Sequence, residues 1–211
     1  MEIENLKKQW LRLQQQLPAY TVVKEDFFEV LLRHYSSPQR YYHTLRHIAF
    51  MLAQCQQFKY KVEDLGTLQW AIWYHDVIYN PLRSDNEEKS ARLAEKHLVV
   101  LQADKMMIEK VSAYILATKK HQLIAPYQNF DAQLMLDCDL AVLGSTREDY
   151  LSYTQAIRKE YAMYPDFLYK KGRRKALQSF LQKERIFLTE EFYQAREEQA
   201  RKNLAYELGT L

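Results

Sequence analysis

The chain has 211 residues, 47% hydrophobic and 27% charged, with only 4 Gly and 5 Pro, a globular composition that favours long helices over a sizeable core. A formal charge of +3, from 30 Lys+Arg against 27 Asp+Glu, is too small to argue for nucleic-acid or membrane-surface binding. Cys55 and Cys138 form neither a CxxC pair nor a disulfide framework, which fits a reducing cytoplasm; no apolar signal segment opens the chain and no run of about 18 apolar residues offers a membrane span.

Taken in order, apolar spacing predicts a first helix over about 3–16 (Ile3, Leu6, Trp10, Leu13) and a second over about 24–35 (Phe27, Val30, Leu31, Tyr35). After the break SSPQ, a third over about 43–58 places His47, Met51 and Cys55 in one row, with His43 one i,i+4 step before His47. A fourth, about 64–79, carries Leu65, Leu68, Ile72, His75, Asp76 and Tyr79 along one stripe before Asn80-Pro81 stops it. Asp85 and Glu88 read as a capping box for a fifth helix ending near Leu98. A sixth covers about 104–119, followed by a loop with His121 and Pro126. The segment 131–143 is short and apolar, and Ser145 or Thr146 starts a helix that runs to Met163. KKGRRK reads as a basic joint before two charged helices, about 174–186 and 189–208. The fold class expected is all-α: a single domain over 1–211, with a core of about 40–145 and a C-terminal helical extension of about 146–208.

Four residues of metal-ligand type fall on apolar sides of these helices. They are His47, His75, Asp76 and Asp139. An ionised carboxylate on a core-facing stripe is costly unless paired or metal-bound. In LMLDCDLAVLG, a helix places Asp139 with Met135, Leu136, Leu140 and Leu143, while Asp137 faces elsewhere, so periodicity selects Asp139 as the buried carboxylate. Each of these residues also has an ordinary reading: a packed core histidine, a helix-end His–Asp hydrogen bond, or an exposed Asp in a frayed segment. Glu87 shares a face with Ser90, Ala91, Ala94 and Leu98 and could orient water or shuttle a proton, or simply favour the helix dipole as an N-terminal acid.

The order His, His-Asp, Asp resembles the HD-domain superfamily of metal-dependent phosphohydrolases. The motifs YYHTLRHI, WYHDVIYNP, DNEEKSA, ILATKKH, LDCDLAVLG and GRRKALQSFLQKERIF resemble its small subgroup of predicted metal-dependent phosphohydrolases, over about residues 35–205. The resemblance implies an HD-type helical bundle in which His47, His75, Asp76 and Asp139 bind one divalent ion. That N/O set suits Mn, Fe, Ni, Co or Zn better than Mg. Where two-metal relatives carry further histidines this chain has Asn86-Glu87, so the implied centre holds one metal. Asp76, Glu87 and His121 are then the catalytic candidates, and His43, Tyr79, Asn86 and Arg173 the substrate-binding ones. Arg173 would offer its planar fork to phosphate, and Tyr79 or Tyr42 a ring to a nucleobase. The implied substrate is a small phosphate ester, a nucleotide among the candidates. The competing reading is an HD module that binds a nucleotide or metal without turnover and acts through a protein partner. An RNA-binding role is set aside by the low net charge. Monomer and homodimer are both compatible with the sequence.

Overall fold

The computed structural model describes residues 2–22 and 26–211. Among these the fold is all-helical, with no strand beyond an isolated Ile124–Tyr127 bridge. The helices are α1 Glu2–Gln14, α2 Phe27–Tyr35, α3 Leu45–Gln57, α4 Leu65–Tyr74, α5 Asn86–Val100, α6 Lys105–Thr118, α7 Phe130–Leu140, α8 Arg147–Glu160, α9 Asp166–Leu181 and α10 Glu190–Thr210, with a 3-10 turn over Ala141–Gly144. The expected start of the second helix near residue 24 lies outside the described residues. No described helix is long and apolar enough to cross a membrane. The chain divides into two compact units, Met1–Met135 and Leu136–Leu211, and the division falls inside α7.

In the first unit α4 is the central helix. It packs against α1, α3, α5 and α6 and buries Leu68, Trp70, Ala71, Ile72, Trp73 and Tyr74, so it is apolar all round rather than striped. Trp10 of α1 is fully buried and meets Trp70 and Trp73 edge-on at 4.8 and 5.3 Å, an aromatic arrangement that adds to area burial.

The helix start at Asp64 is capped twice. Its own carboxylate accepts from Thr67 N at 2.9 Å, and the buried Asp131 accepts from Glu63 N and Asp64 N at 3.0 and 2.9 Å. The C-terminus differs from the expectation of a helix through residue 79. α4 ends at Tyr74, His75 is its C-cap, and Asp76 lies beyond it. The reason is competition for main-chain groups: Arg40 takes the carbonyls of Asp76 and Val77 at 2.7 and 2.8 Å, and Ser90 Oγ accepts from Ile78 N at 3.0 Å.

Two other expectations change. Asp85 is the N-cap of α5 but makes no side-chain capping bond; its carboxylate is held by Arg83 at 2.7 Å through both oxygens and by Lys89 at 3.3 Å. KKGRRK is not a joint but the middle of α9. Gly172 is tolerated there among helix-forming Lys and Arg neighbours.

Positive φ occurs at Gln102 (56°) and His121 (48°). Gln102 N bonds Val99 O and Ala103 N bonds Leu98 O; His121 N bonds Thr118 O and Gln122 N bonds Ala117 O. Both are the left-handed stop of a Schellman motif, closing α5 and α6 where glycine is the usual occupant. Gln102→Gly is therefore expected to stabilise the protein by ~0.5–1 kcal/mol net of its unfolded-state entropy. The readout is a rise in Tm of about 2–3 °C.

His97, 2% exposed, stacks on Phe27 at 4.0 Å and has Tyr74 Oη 2.6 Å from its Nδ1. Burial, with Lys96 and His34 adding to it, pushes its pKa down to about 4. Above pH ~6.5 the ring is neutral folded or unfolded. Between about pH 6.5 and 4 only the unfolded chain takes up the proton, so stability falls as pH falls, by ~3 kcal/mol in all. Urea midpoints over this range are expected to drop more steeply in wild type than in His97→Asn, which offers Tyr74 an acceptor that does not titrate.

In the second unit α10 packs on the 3-10 turn and on α9. Asn203, fully buried, donates to Leu143 O and Ser145 O at 2.9 Å each. Gly144 lets this seam close: a Cβ there would stand 2.6 Å from Arg196 Cβ and 2.7 Å from the Arg196 carbonyl oxygen.

Candidate metal centre

Two segments of the first unit bring His47, His75 and Asp76 together. His47 lies on α3, one turn after its N-cap Thr44, and is 3% exposed. His75 closes α4 and is 1% exposed. Its Nδ1 sits 2.9 Å from the Ile72 carbonyl. A carbonyl only accepts, so Nδ1 carries the proton and the Nε2 lone pair faces the centre, the second-layer arrangement that fixes a metal-ligating tautomer. His47 Nε2 is 3.3 Å from His75 Nε2, and Asp76 Oδ2 is 3.2 Å from the same atom.

These spacings test the fit of an ion. Donor atoms sharing an ion at ~2.1 Å stand about 3.0–3.4 Å apart along the edges of an octahedron or tetrahedron. Both distances fall there, and the N/O donor set is the one that borderline divalent ions take. Asp139 rides on α7, which begins in the first unit at Phe130. One ligand atom each from His47, His75 and Asp139 lie within 4.8 Å of one another, so this group could hold a metal ion.

The selection of Asp139 as the buried carboxylate of α7 is corrected. Asp137 is the fully buried one and Asp139 is half-buried. Asp137 accepts from Leu188 N and Thr189 N at 2.7 Å and from Thr189 Oγ1 at 2.6 Å, just ahead of α10. Burial raises its pKa to about 6 against the pull of these donors.

Around the ligands, His43 precedes α3 rather than lying on it, so the expected i,i+4 relation to His47 does not hold. The loop still brings it near, with ring centroids 5.9 Å apart, and its Nε2 is 3.8 Å from Asp76 Oδ2. Tyr79 packs on His43 at 4.4 Å and under the Arg40 guanidinium at 5.4 Å. Tyr42 lies 5.1 Å from His43 and 5.0 Å from His47.

Glu87, in the first turn of α5, is half-buried. Burial raises its pKa, and the Asp76 charge adds to the rise. Asn86 holds the preceding loop: it accepts from Asn80 N at 3.1 Å and donates to Asn80 O at 2.9 Å. His121 sits, half-buried, at the stop of α6. Arg173 belongs to the second unit, where its fork closes on Glu207 at 2.7 and 2.9 Å and Tyr150 Oη donates to the same carboxylate at 2.5 Å.

Sequence reading misses Arg40, Ser90 and Asp131. The orphan carbonyls and amides expected at each helix end are the signal that calls for such partners.

A scan against protein-family models and searches of curated proteins and of solved structures found no match.

Proposed function

We propose that this chain is a cytoplasmic, metal-dependent phosphohydrolase of HD type acting on a small phosphate ester, with nucleotides the first substrates to try. The observation that carries the reading is the convergence of His47 Nε2 and Asp76 Oδ2 on His75 Nε2, at 3.3 and 3.2 Å. His47, His75, Asp76 and Asp139 would hold the ion. When bound, the ion supplies positive charge to a phosphoryl oxygen and acidifies water. The protein's own residues do the rest. Ile72 O keeps the His75 lone pair in place. Asp76 orients the attacking water and Glu87 accepts its proton, aided by a raised pKa. His43 and His121 are the groups for the leaving oxygen. Tyr79 and Asn86 shape the rim through the loops they support.

The test is elemental analysis of purified protein, then a screen of nucleotides and generic phosphate esters with Mn, Ni or Co, using wild type and Asp76→Ala. Turnover in wild type that is lost in Asp76→Ala supports the reading. A metal-loaded wild type that turns over nothing would make the chain a binding module that works through a partner. Glu87→Gln is expected to lower kcat by about 100-fold with metal content unchanged. It should also remove an acidic limb from the pH–rate profile that lies above the usual glutamate range, since Glu87 must be ionised to act.

A further inference from the structure

Asp76 and His75 stand at and past the end of α4, where main-chain carbonyls have no helical partner. What holds that turn comes from 36 residues earlier. Arg40, 8% exposed, gives Nη1 to the carbonyls of His43 and Asp76 at 2.9 and 2.7 Å and Nη2 to that of Val77 at 2.8 Å. We infer that Arg40 is the positioning residue of this centre: its guanidinium fixes the turn that presents His75 and Asp76 and registers it against the loop that carries His43. The inference rests on the metal-centre reading above.

Three features support it. One nitrogen spans both segments, so the backbones of His43 and Asp76 cannot separate without losing a charge-assisted bond. The carbonyls of adjacent residues Asp76 and Val77 are taken by the two terminal nitrogens of a planar fork, which a lysine ammonium cannot reproduce. The fork is also held from the side, with Tyr35 at 4.9 Å and Tyr79 at 5.4 Å from Cζ. Tyr35 is itself anchored on α4 by donating to Trp73 O at 2.9 Å. A cation beyond a helix C-terminus is also favoured by the helix dipole. The side-chain distances of the centre, 3.2 Å from Asp76 to His75 and 3.8 Å to His43, follow from where this clamp puts the backbone. Arg40 acts through that backbone, not on substrate.

The experiment is a Co(II) titration of the full chain, followed by its visible absorption, in wild type, Arg40→Lys and Arg40→Gln. Leu13→Ala, a core truncation on α1, serves as a destabilised control. Both Arg40 variants are expected to keep their helical circular dichroism, to bind Co(II) about 10–100-fold more weakly and to show an altered absorption band. Leu13→Ala should lose Tm but keep the wild-type Kd and spectrum. Wild-type Kd and spectrum in the Arg40 variants overturn the Arg40 inference and leave the metal centre standing. Failure of wild type to bind Co(II) overturns both. If Arg40→Gln does not fold, Arg40→Lys, which keeps charge and length, decides by the same criterion.

Discussion

Under the proposed metal-dependent function, His75→Ala is expected to abolish metal binding and lower any phosphatase turnover by ~10³-fold or more, while the fold survives. His75 Nε2 is the atom that both His47 Nε2 and Asp76 Oδ2 approach, at 3.3 and 3.2 Å, and it belongs with His47 and Asp139 to the group that could hold an ion. Without it, the two edges that His47 and Asp76 each make with His75 are gone, and the several kcal/mol of charge stabilisation that a bound ion would give a phosphoryl oxygen would be lost. At about 1.4 kcal/mol per tenfold, that is at least three orders of magnitude. The structural cost is smaller. Ile72 O loses one partner and a buried ring becomes a cavity, but the residue is a helix C-cap rather than a mid-core side chain. Metal content, kcat/KM and Tm measured together separate the two effects. Retention of metal and turnover with a lowered Tm would show that His75 is only a packing residue.

Gly144→Ala is expected to cost the second unit ~2–4 kcal/mol, with no part in chemistry. Overpacking against side chains usually costs ~1–3 kcal/mol. Here one of the obstacles is main chain, the Arg196 carbonyl oxygen at 2.7 Å, so relief requires moving α10. That movement would pull on the buried Asn203 bonds to Leu143 O and Ser145 O, whose loss leaves desolvated groups unpaired. Urea midpoints give the measurement, and Gly144→Ala/Arg196→Gly is the decisive partner variant. Removing the Arg196 Cβ leaves the carbonyl in place, so rescue should be partial. Full rescue would mean that only side chains meet at this seam.

Apolar spacing is enough to show that the chain is helical and to bury His47, which sits where the stripe of α3 points, while His75 is buried as the C-cap of a helix that is apolar all round. It goes astray where a residue answers to something distant in sequence. The end of α4 is decided by Arg40, and the rank of Asp137 over Asp139 by Leu188 and Thr189. A helical wheel assumes one buried face, whereas α7 is covered on most sides. The capping box at Asp85 fails because Arg83, two residues away, offers its carboxylate a charged fork. The basic run at 170–175 looks like a joint because it carries charge and a glycine, yet nothing lies within 4 Å of a Cβ at Gly172, and an exposed helix tolerates both.

The two buried aspartates of α7 have a consequence for the order of assembly. Asp131 takes the free amides ahead of α4, and Asp137, six residues later, takes those ahead of α10. Each helix thus waits for a partner that is 67 or 68 residues away in the first case and 51 or 52 in the second. On a ribosome adding about 5–20 residues per second, the central helix of the first unit cannot complete its start until residue 131 has emerged. α7 is then the timing element of the chain: its first turn finishes one unit, and its last turns hold the acceptor that the other will need seconds later.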